Sequence, residues 1–160
     1  YSSEDKKEII NDDGYGITNG PIINHQNNYL YHTDSKKGII YKFSLDLEKR
    51  LINNKTNFIE FDISHGVPDG MCFDEKGDLF IAVWGEGSVK RYTESGKLIE
   101  VFKLPEKYIT KPCFAGKNLD RIFVTTAMGS SLDKLENNSG YIYEIIDHNC
   151  KGVFTNEFFV

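Results

Sequence analysis

Hydrophobic and polar residues alternate along this chain in short runs that are typical of β-strands. Two clear examples are Tyr29-Leu30-Tyr31-His32-Thr33 and Leu79-Phe80-Ile81-Ala82-Val83, which are rich in β-branched and aromatic residues. Clusters of Gly, Asn and Asp separate the runs, as at Asn27-Asn28. Apolar residues at helical spacing are nearly absent. The pattern therefore predicts an all-β, antiparallel protein.

The runs also recur in a fixed order, with a repeat of about fifty residues. Asp69-Gly70 opens a run 50 residues after Asn19-Gly20 does, and Phe80 lies 50 residues after Leu30. A third copy begins at Pro112. Repeated units of four short strands are typical of the blades of a β-propeller. An up-and-down barrel or a sandwich is the alternative, but the matched order of turn, strand, glycine loop and strand favours the propeller.

The repeats predict about three four-stranded blades, at residues 14–62, 66–105 and 108–160, with a leading strand at Lys7-Glu8-Ile9-Ile10. A propeller needs about four blades or more to close into a ring. Open sheet edges and faces also favour aggregation. We therefore expect a complementary half, a second copy of the chain or a further N-terminal segment to complete the ring.

Propeller geometry predicts which loops meet. The innermost strand of a blade starts at one face of the disc, and the loop after the second strand returns to that face. Asn19 and Asp69, at the heads of two innermost strands, are therefore expected to converge at the mouth of the central channel. Asp34 and Trp84 follow the second strands and are the predicted substrate contacts, under the long loop between Met128 and Gly140.

Asn-Gly and Asp-Gly are also common turn signals, so plain turns are the alternative interpretation of both pairs. Their shared position at the heads of innermost strands favours a ligand site instead. Both side chains offer a hard oxygen that suits a cation such as Ca²⁺ or Mg²⁺. The third copy has Thr110 at this position and lacks the carboxylate. Asn19 and Asp69 are thus candidate residues for binding a cation.

Charge and composition exclude several classes of partner. The net charge is −5 and the pI about 5.4, with Lys and Arg scattered, which disfavours nucleic acid. No apolar run approaches the roughly 18 residues that a membrane span requires. The sequence contains three widely spaced cysteines, Cys72, Cys113 and Cys150, and no CxxC pair. This is neither a disulfide framework nor a zinc motif, so a reducing, cytoplasmic location is expected. Cys72 and Cys113 are expected to be inert buried thiols.

The remaining candidate residues carry weaker signals. His32 lies within a strand and is expected to be a packed histidine, whereas His65, four residues before Asp69, is a candidate for a contact behind the site. Trp84 either stacks on a ligand or covers the edge of the core. No GxSxG nucleophile motif is present in the sequence.

Three segments carry a family resemblance: Ile17-Thr18-Asn19-Gly20-Pro21, Lys111-Pro112-Cys113-Phe114-Ala115-Gly116 and, most strongly, Val67-Pro68-Asp69-Gly70-Met71-Cys72-Phe73-Asp74-Glu75-Lys76-Gly77-Asp78-Leu79-Phe80-Ile81-Ala82. They resemble the gluconolactonase/regucalcin (senescence marker protein) and luciferin-regenerating-enzyme family of six-bladed propellers. The resemblance covers nearly all of the chain but only the C-terminal half of the family's propeller, so residues 1–160 are expected to form that half of the domain.

The resemblance implies a metal-dependent lactonase. One divalent ion (Ca, Zn, Mg or Mn) would lie in the channel, with Asn19 and Asp69 as ligands. The family's third ligand, a glutamate of the first blade, has no counterpart in this sequence. The metal would polarise the carbonyl of a sugar lactone and acidify a water, from which Asp69 would take the proton.

Two other functions are compatible with the same residues. In one, the propeller is not catalytic and acts as a calcium-responsive or protein-interaction scaffold. In the other, it is a related enzyme that acts on a different ester or on an organophosphate. An acidic ligand in the first blade would favour the enzyme.

Overall fold

All regular structure in the described part of this chain is β-structure. The computed structural model describes residues 10–24, 26–49, 51–128 and 140–154, and these ranges contain eleven strands and no helix. No segment within them is therefore a helix long and apolar enough to cross a membrane.

The strands form three antiparallel sheets in chain order, and each strand pairs with its neighbours in sequence. This arrangement confirms the all-β prediction of consecutive propeller blades. The first sheet contains β1 (Thr18–Asn24), β2 (Tyr29–Asp34), β3 (Ile39–Asp46) and β4 (Leu51–Glu60); the second β5 (Val67–Phe73), β6 (Leu79–Trp84), β7 (Ser88–Tyr92) and β8 (Leu98–Lys103); the third β9 (Ile109–Ala115), β10 (Arg121–Thr126) and β11 (Ile142–Ile145).

The third sheet differs from the predicted four-stranded blade, since it has three strands among the residues that the structure describes. Most of the predicted leading strand falls outside those residues, and Ile10, its last member, is not in a strand. Nearly all of the long loop that was expected over the site, residues 129–139, also lies outside the described ranges.

The second sheet is packed on both of its faces. Along β6, Leu79 and Ile81 belong to a core cluster shared with Tyr31 of the first sheet. Phe80 and Ala82, which point the opposite way, belong to the cluster shared with the third sheet. Because successive strand residues face opposite sides, a strand between two sheets must be apolar at every position. This explains why residues 79–83 form an unbroken apolar run with 0% exposure.

An irregularity recurs at the head of each innermost strand. The pairing register shifts between Asn19 and Ile22 in β1 and between Pro68 and Met71 in β5. In the third sheet it shifts at Thr110. Such β-bulges bend a strand and change the direction of its side chains. Asn19 therefore lies at the edge of its bulge, whereas Asp69 lies inside the equivalent one.

The prediction of two inert buried thiols was wrong for Cys113, which is exposed, whereas Cys72 is partly buried and Cys150 buried. The cause is the alternation of β9. Pro112 faces the interior of the sheet stack and is buried, so its neighbour Cys113 faces the opposite side.

Candidate metal centre

The loop after β2 holds the head of β1. The backbone N–H of Ser35 donates to the carbonyl oxygen of Ile17 at 2.9 Å. The Nδ2 of Asn19 donates to the Oγ of Ser35 at 3.2 Å. Because Nδ2 and Oδ1 diverge from the same carbon, this contact leaves the amide oxygen of Asn19 unengaged by Ser35 and suited to a cation.

The same serine joins the first sheet to the second. Ser35 is 4% exposed, and its Oγ donates to the carbonyl oxygen of Pro68 at 2.7 Å. Pro68 directly precedes Asp69, and β1 contacts β5. One hydroxyl thus connects the side chain of Asn19 with the main chain next to Asp69.

A glycine allows the third sheet to approach the same place. A Cβ at Gly70 would lie 2.8 Å from the carbonyl oxygen of Thr110 and 2.8 Å from the Cβ of Lys111. Real Cβ atoms do not tolerate such distances, so only glycine permits this spacing of β5 and β9. The hydroxyl of Thr110 is hydrogen-bonded to that of Thr125 at 2.6 Å.

The carboxyl of Asp69 is in an unfavourable environment for a charge. Burial raises its pKa to about 6, and a hydrogen bond from the backbone N–H of Gly70 offsets only part of this effect. Within the described ranges, no Lys, Arg or His forms an ion pair with it. A carboxylate that is desolvated without a counter-charge is costly, and a cation would remove that cost.

The donor set therefore fits a hard divalent cation. Asp69 supplies a carboxylate and Asn19 a neutral amide oxygen, which are the ligand types that Ca²⁺ and Mg²⁺ prefer. Across the residues described, no three His, Cys, Asp or Glu side chains form a group that could hold a metal. Asn19 and Asp69 therefore remain the two candidate ligands within the described part of the chain.

We expect the metal-free protein to lose stability as pH rises through about 6, because of Asp69. Its native pKa of about 6 exceeds the value of 3.8 that is usual for an aspartate in water, so the native state binds the extra proton and is favoured at low pH. After allowance for partial exposure, the loss between about pH 4 and pH 8 should be about 1–2 kcal/mol.

Urea denaturation in the presence of a chelator gives the free energy of unfolding over that pH range. The effect of Asp69 is the difference between the pH profiles of the unaltered protein and Asp69→Asn. Asparagine cannot titrate, so the variant should lack this part of the pH dependence. Parallel pH profiles for the two proteins would contradict the prediction.

Asp34 is fully buried, and its carboxylate is hydrogen-bonded both to its own loop and to the segment before β1. Burial acts to raise its pKa, but backbone N–H groups of Gly16, Ile17 and Lys37 donate to its carboxylate and hold the pKa below its usual value. Lys37 Nζ lies 3.5 Å away. These contacts support a role in shaping the loop, and the substrate contact assigned to Asp34 stays a prediction.

Trp84 lies at the end of β6 and packs on the segment that leads into the third sheet. Its ring centroid is 4.7 Å from that of Tyr108, with the planes at 42°, and the two main chains form a β-bridge. This contact is compatible with an aromatic side chain that covers the edge of the core. Binding of a substrate by the remaining face of the ring stays a prediction.

The two histidines singled out in the sequence are not equivalent. His32 packs its ring against Tyr15 with centroids 4.4 Å apart, and burial lowers its pKa, as expected of a packed histidine. His65 lies on an exposed loop, where its Nδ1 is 3.1 Å from a carboxylate oxygen of Asp62 and 3.0 Å from the hydroxyl of Ser64. No contact joins His65 to Asp69 in the described part of the chain.

A cleft of about 500 Å³ runs along the other ends of the innermost strands. It is mainly apolar, and neither Asn19 nor Asp69 lines it. No local pattern in the sequence indicates this cleft, because the cleft depends on how three sheets are placed side by side. Its walls include Ile22, Met71, Cys72, Cys113 and Phe154.

Comparison with known proteins places this geometry in a family. The model of the SMP-30/gluconolactonase/LRE-like region matches residues 1–128. The chain belongs to this family. Pentonolactonase XacC of Haloferax volcanii is 32% identical over 116 residues, which are 72% of this chain and 40% of the relative. Regucalcin of Oryctolagus cuniculus is 32% identical over 145 residues, covering 88% of this chain and 48% of the relative.

Among solved structures, a regucalcin from Agrobacterium tumefaciens that is described as a calcium-binding protein matches with a TM-score of 0.79 and 28% identity. That match covers 88% of this chain and 48% of the other. This SMP-30/gluconolactonase/LRE-like chain therefore spans about half the length of the relatives it matches. The family predicted from the Pro-Asp-Gly-Met-Cys segment is confirmed.

Proposed function

We propose that this chain supplies part of the site of a divalent-metal-dependent enzyme that hydrolyses a sugar lactone. The observation that carries the proposal is the desolvated carboxylate of Asp69, which has no counter-ion among the described residues. The hydroxyl of Ser35 is hydrogen-bonded both to the side chain of Asn19 and to the carbonyl oxygen of Pro68, the residue before Asp69. A pentonolactonase among the relatives supports a lactone as the substrate class.

The chain's own residues suit this reaction, in which water adds to the lactone carbonyl and the ring C–O ester bond breaks to give a hydroxy acid. A bound divalent metal supplies Lewis acidity at a carbonyl and lowers the pKa of water. Asp69 is proposed as the group that accepts the proton of the attacking water, because a carboxylate can act as a general base. Asn19 offers a neutral oxygen, so it binds without adding negative charge. Trp84 and Asp34 remain the candidate substrate contacts.

The third metal ligand and much of the substrate pocket are proposed to come from outside this chain's described residues. Residues 1–160 would form the C-terminal half of the propeller domain. A complementary N-terminal half or a second copy of the chain would close the ring. The metal would be Ca, Zn, Mg or Mn, and the protein would work in the cytoplasm, where its three free cysteines stay reduced.

A second candidate is a propeller that binds calcium without catalysis. It is favoured by the regucalcin structure described as a calcium-binding protein and by the small number of ligands that this chain offers. The two candidates share Asn19 and Asp69 but differ in whether a substrate is turned over.

The test is an assay of the whole protein against a panel of aldonolactones, before and after removal of metal by a chelator. We expect hydrolysis that chelation abolishes and that one of Ca²⁺, Zn²⁺, Mg²⁺ or Mn²⁺ restores. Metal binding without turnover of any lactone would favour the second candidate. Absence of both metal binding and turnover would contradict the two together.

A further inference from the structure

We propose that Ser35 is a positioning residue of the candidate metal centre, which selects the atom that Asn19 offers to the metal and fixes the main chain at Asp69. This inference rests on the proposed function, since it concerns the same site. Ser35 is not a ligand in this scheme; it acts through the two residues on either side of it.

The argument begins with the single proton of the Ser35 hydroxyl. That proton is committed to the carbonyl oxygen of Pro68, 2.7 Å away. A serine hydroxyl has one donor and two acceptor lone pairs, so towards Asn19 it acts as an acceptor. The partner atom of Asn19 must then be the amide nitrogen, at 3.2 Å.

This direction of hydrogen bonding decides the chemistry of Asn19. An amide that turns its N–H₂ group towards a cation repels it, whereas the amide oxygen is a good ligand. Because Ser35 accepts from Nδ2, the flipped amide would place an oxygen against a lone pair of Ser35 and lose the contact. The hydroxyl therefore favours the orientation in which Oδ1 is available to the metal.

The hydroxyl of Ser35 also donates a hydrogen bond next to the bulge that contains Asp69. The Pro68–Val83 pair is the last regular pair before the register shift of β5. The bond from Ser35 fixes the carbonyl of Pro68, and thereby the peptide plane that leads into Asp69. The heads of two strands in different sheets are thus set relative to each other by one hydrogen-bonded oxygen.

Ser35 is itself held firmly enough for this task. Its N–H donates to Ile17 at 2.9 Å, and its carbonyl accepts from the N–H of Gly38 at 3.3 Å. Its neighbour Asp34 anchors the same loop and has 0% exposure. A hydroxyl on such a loop keeps its place in the absence of metal.

The second sheet provides a matched control. Ser88 is also a buried serine, with 0% exposure, and its hydroxyl donates to Glu86 at 3.2 Å. It has no contact with Asn19 or Pro68 in the described ranges. Ser88→Ala therefore removes a buried hydroxyl and one hydrogen bond without touching the candidate metal centre.

The experiment compares Ser35→Ala and Ser88→Ala with the unaltered whole protein by calorimetric titration with Ca²⁺ and, in parallel, with Mn²⁺. Urea denaturation in chelator supplies the stability of each protein without metal. We expect Ser35→Ala to bind metal 10- to 100-fold more weakly, as is typical when a group that orients a ligand is removed. Ser88→Ala should bind within about twofold, and Ser35→Thr, which keeps the hydroxyl, should recover most of the affinity.

Each outcome decides between the claims. Metal affinity of Ser35→Ala within about twofold of the unaltered protein, or an equal loss in Ser88→Ala, overturns the role of Ser35 and leaves the proposed function standing. Failure of the unaltered protein to bind either metal overturns the proposed function and this inference with it. If Ser35→Ala does not fold, Ser35→Cys, whose thiol is a weak donor and acceptor, serves in its place with the same expected loss.

Discussion

Replacing Asp69 with asparagine is expected to lower kcat/KM for the proposed lactone hydrolysis by about 10²–10⁴-fold. Asparagine has nearly the same shape and keeps one oxygen, but it carries no charge and cannot accept the proton of water. The fold should survive, because the substitution removes a half-buried carboxylate whose charge is disfavoured by burial. In the absence of metal the variant should be as stable as the unaltered protein near neutral pH, or more stable.

Steady-state kinetics with metal in excess, together with metal titration, separates loss of binding from loss of turnover. Asp62→Asn is the matched control. Asp62 lies in the segment before β5, and its side chain is 69% exposed and bound to Ser64 and His65. The control should keep kcat/KM within about twofold. Near-normal metal-dependent hydrolysis by Asp69→Asn would contradict the assignment of Asp69.

Replacing Arg91 with leucine is expected to lower the free energy of unfolding by about 3–5 kcal/mol. The guanidinium lies 2.8 Å from Asp74 and 2.7 Å from Asp78, and its side chain is 12% exposed. Asp74 is 1% exposed and also accepts the backbone N–H groups of Lys76 and Asp78. Loss of the arginine would leave two carboxylates together with little solvent and no positive charge between them.

Arg121→Leu is the control for this second prediction. Arg121 makes a two-pronged bond to Glu144, at 2.7 Å for each prong, but its side chain is 53% exposed. Such exposed pairs contribute little to stability, so Arg121→Leu should lower the free energy of unfolding much less than Arg91→Leu. Urea denaturation monitored by tryptophan fluorescence measures both variants. Equal losses for the two arginines would show that the burial of Asp74 does not control the cost.

The strands could be predicted from the sequence because their signals are local. Alternation with a period of two residues and turn-forming Gly, Asn and Asp lie within a few residues of each other, so each hairpin is encoded in its own segment. The fifty-residue repeat then placed Asn19 and Asp69 at equivalent strand heads. That step needed only the order of the elements, and the structure has the same order.

The contacts behind the site could not be predicted, because they join residues that are distant in the sequence. The bond from Ser35 to Pro68 spans 33 positions and crosses from one sheet to the next. Asp34 looked like a rim residue because it is charged and follows a strand. Its burial depends on three backbone N–H groups turning towards it. The exposure of Cys113 likewise depends on which side of β9 meets another sheet.

The double burial of β6 limits how this protein can change over evolutionary time. Leu79, Ile81 and their alternating neighbours serve two separate cores, one on each side of the strand. A substitution that changes the size of one of these side chains must be accommodated by the core on its own side of the strand. A substitution at the next position must be accommodated by the other core. The central strand β6 should therefore diverge more slowly between relatives than β4 or β8, whose exposed positions can vary one at a time.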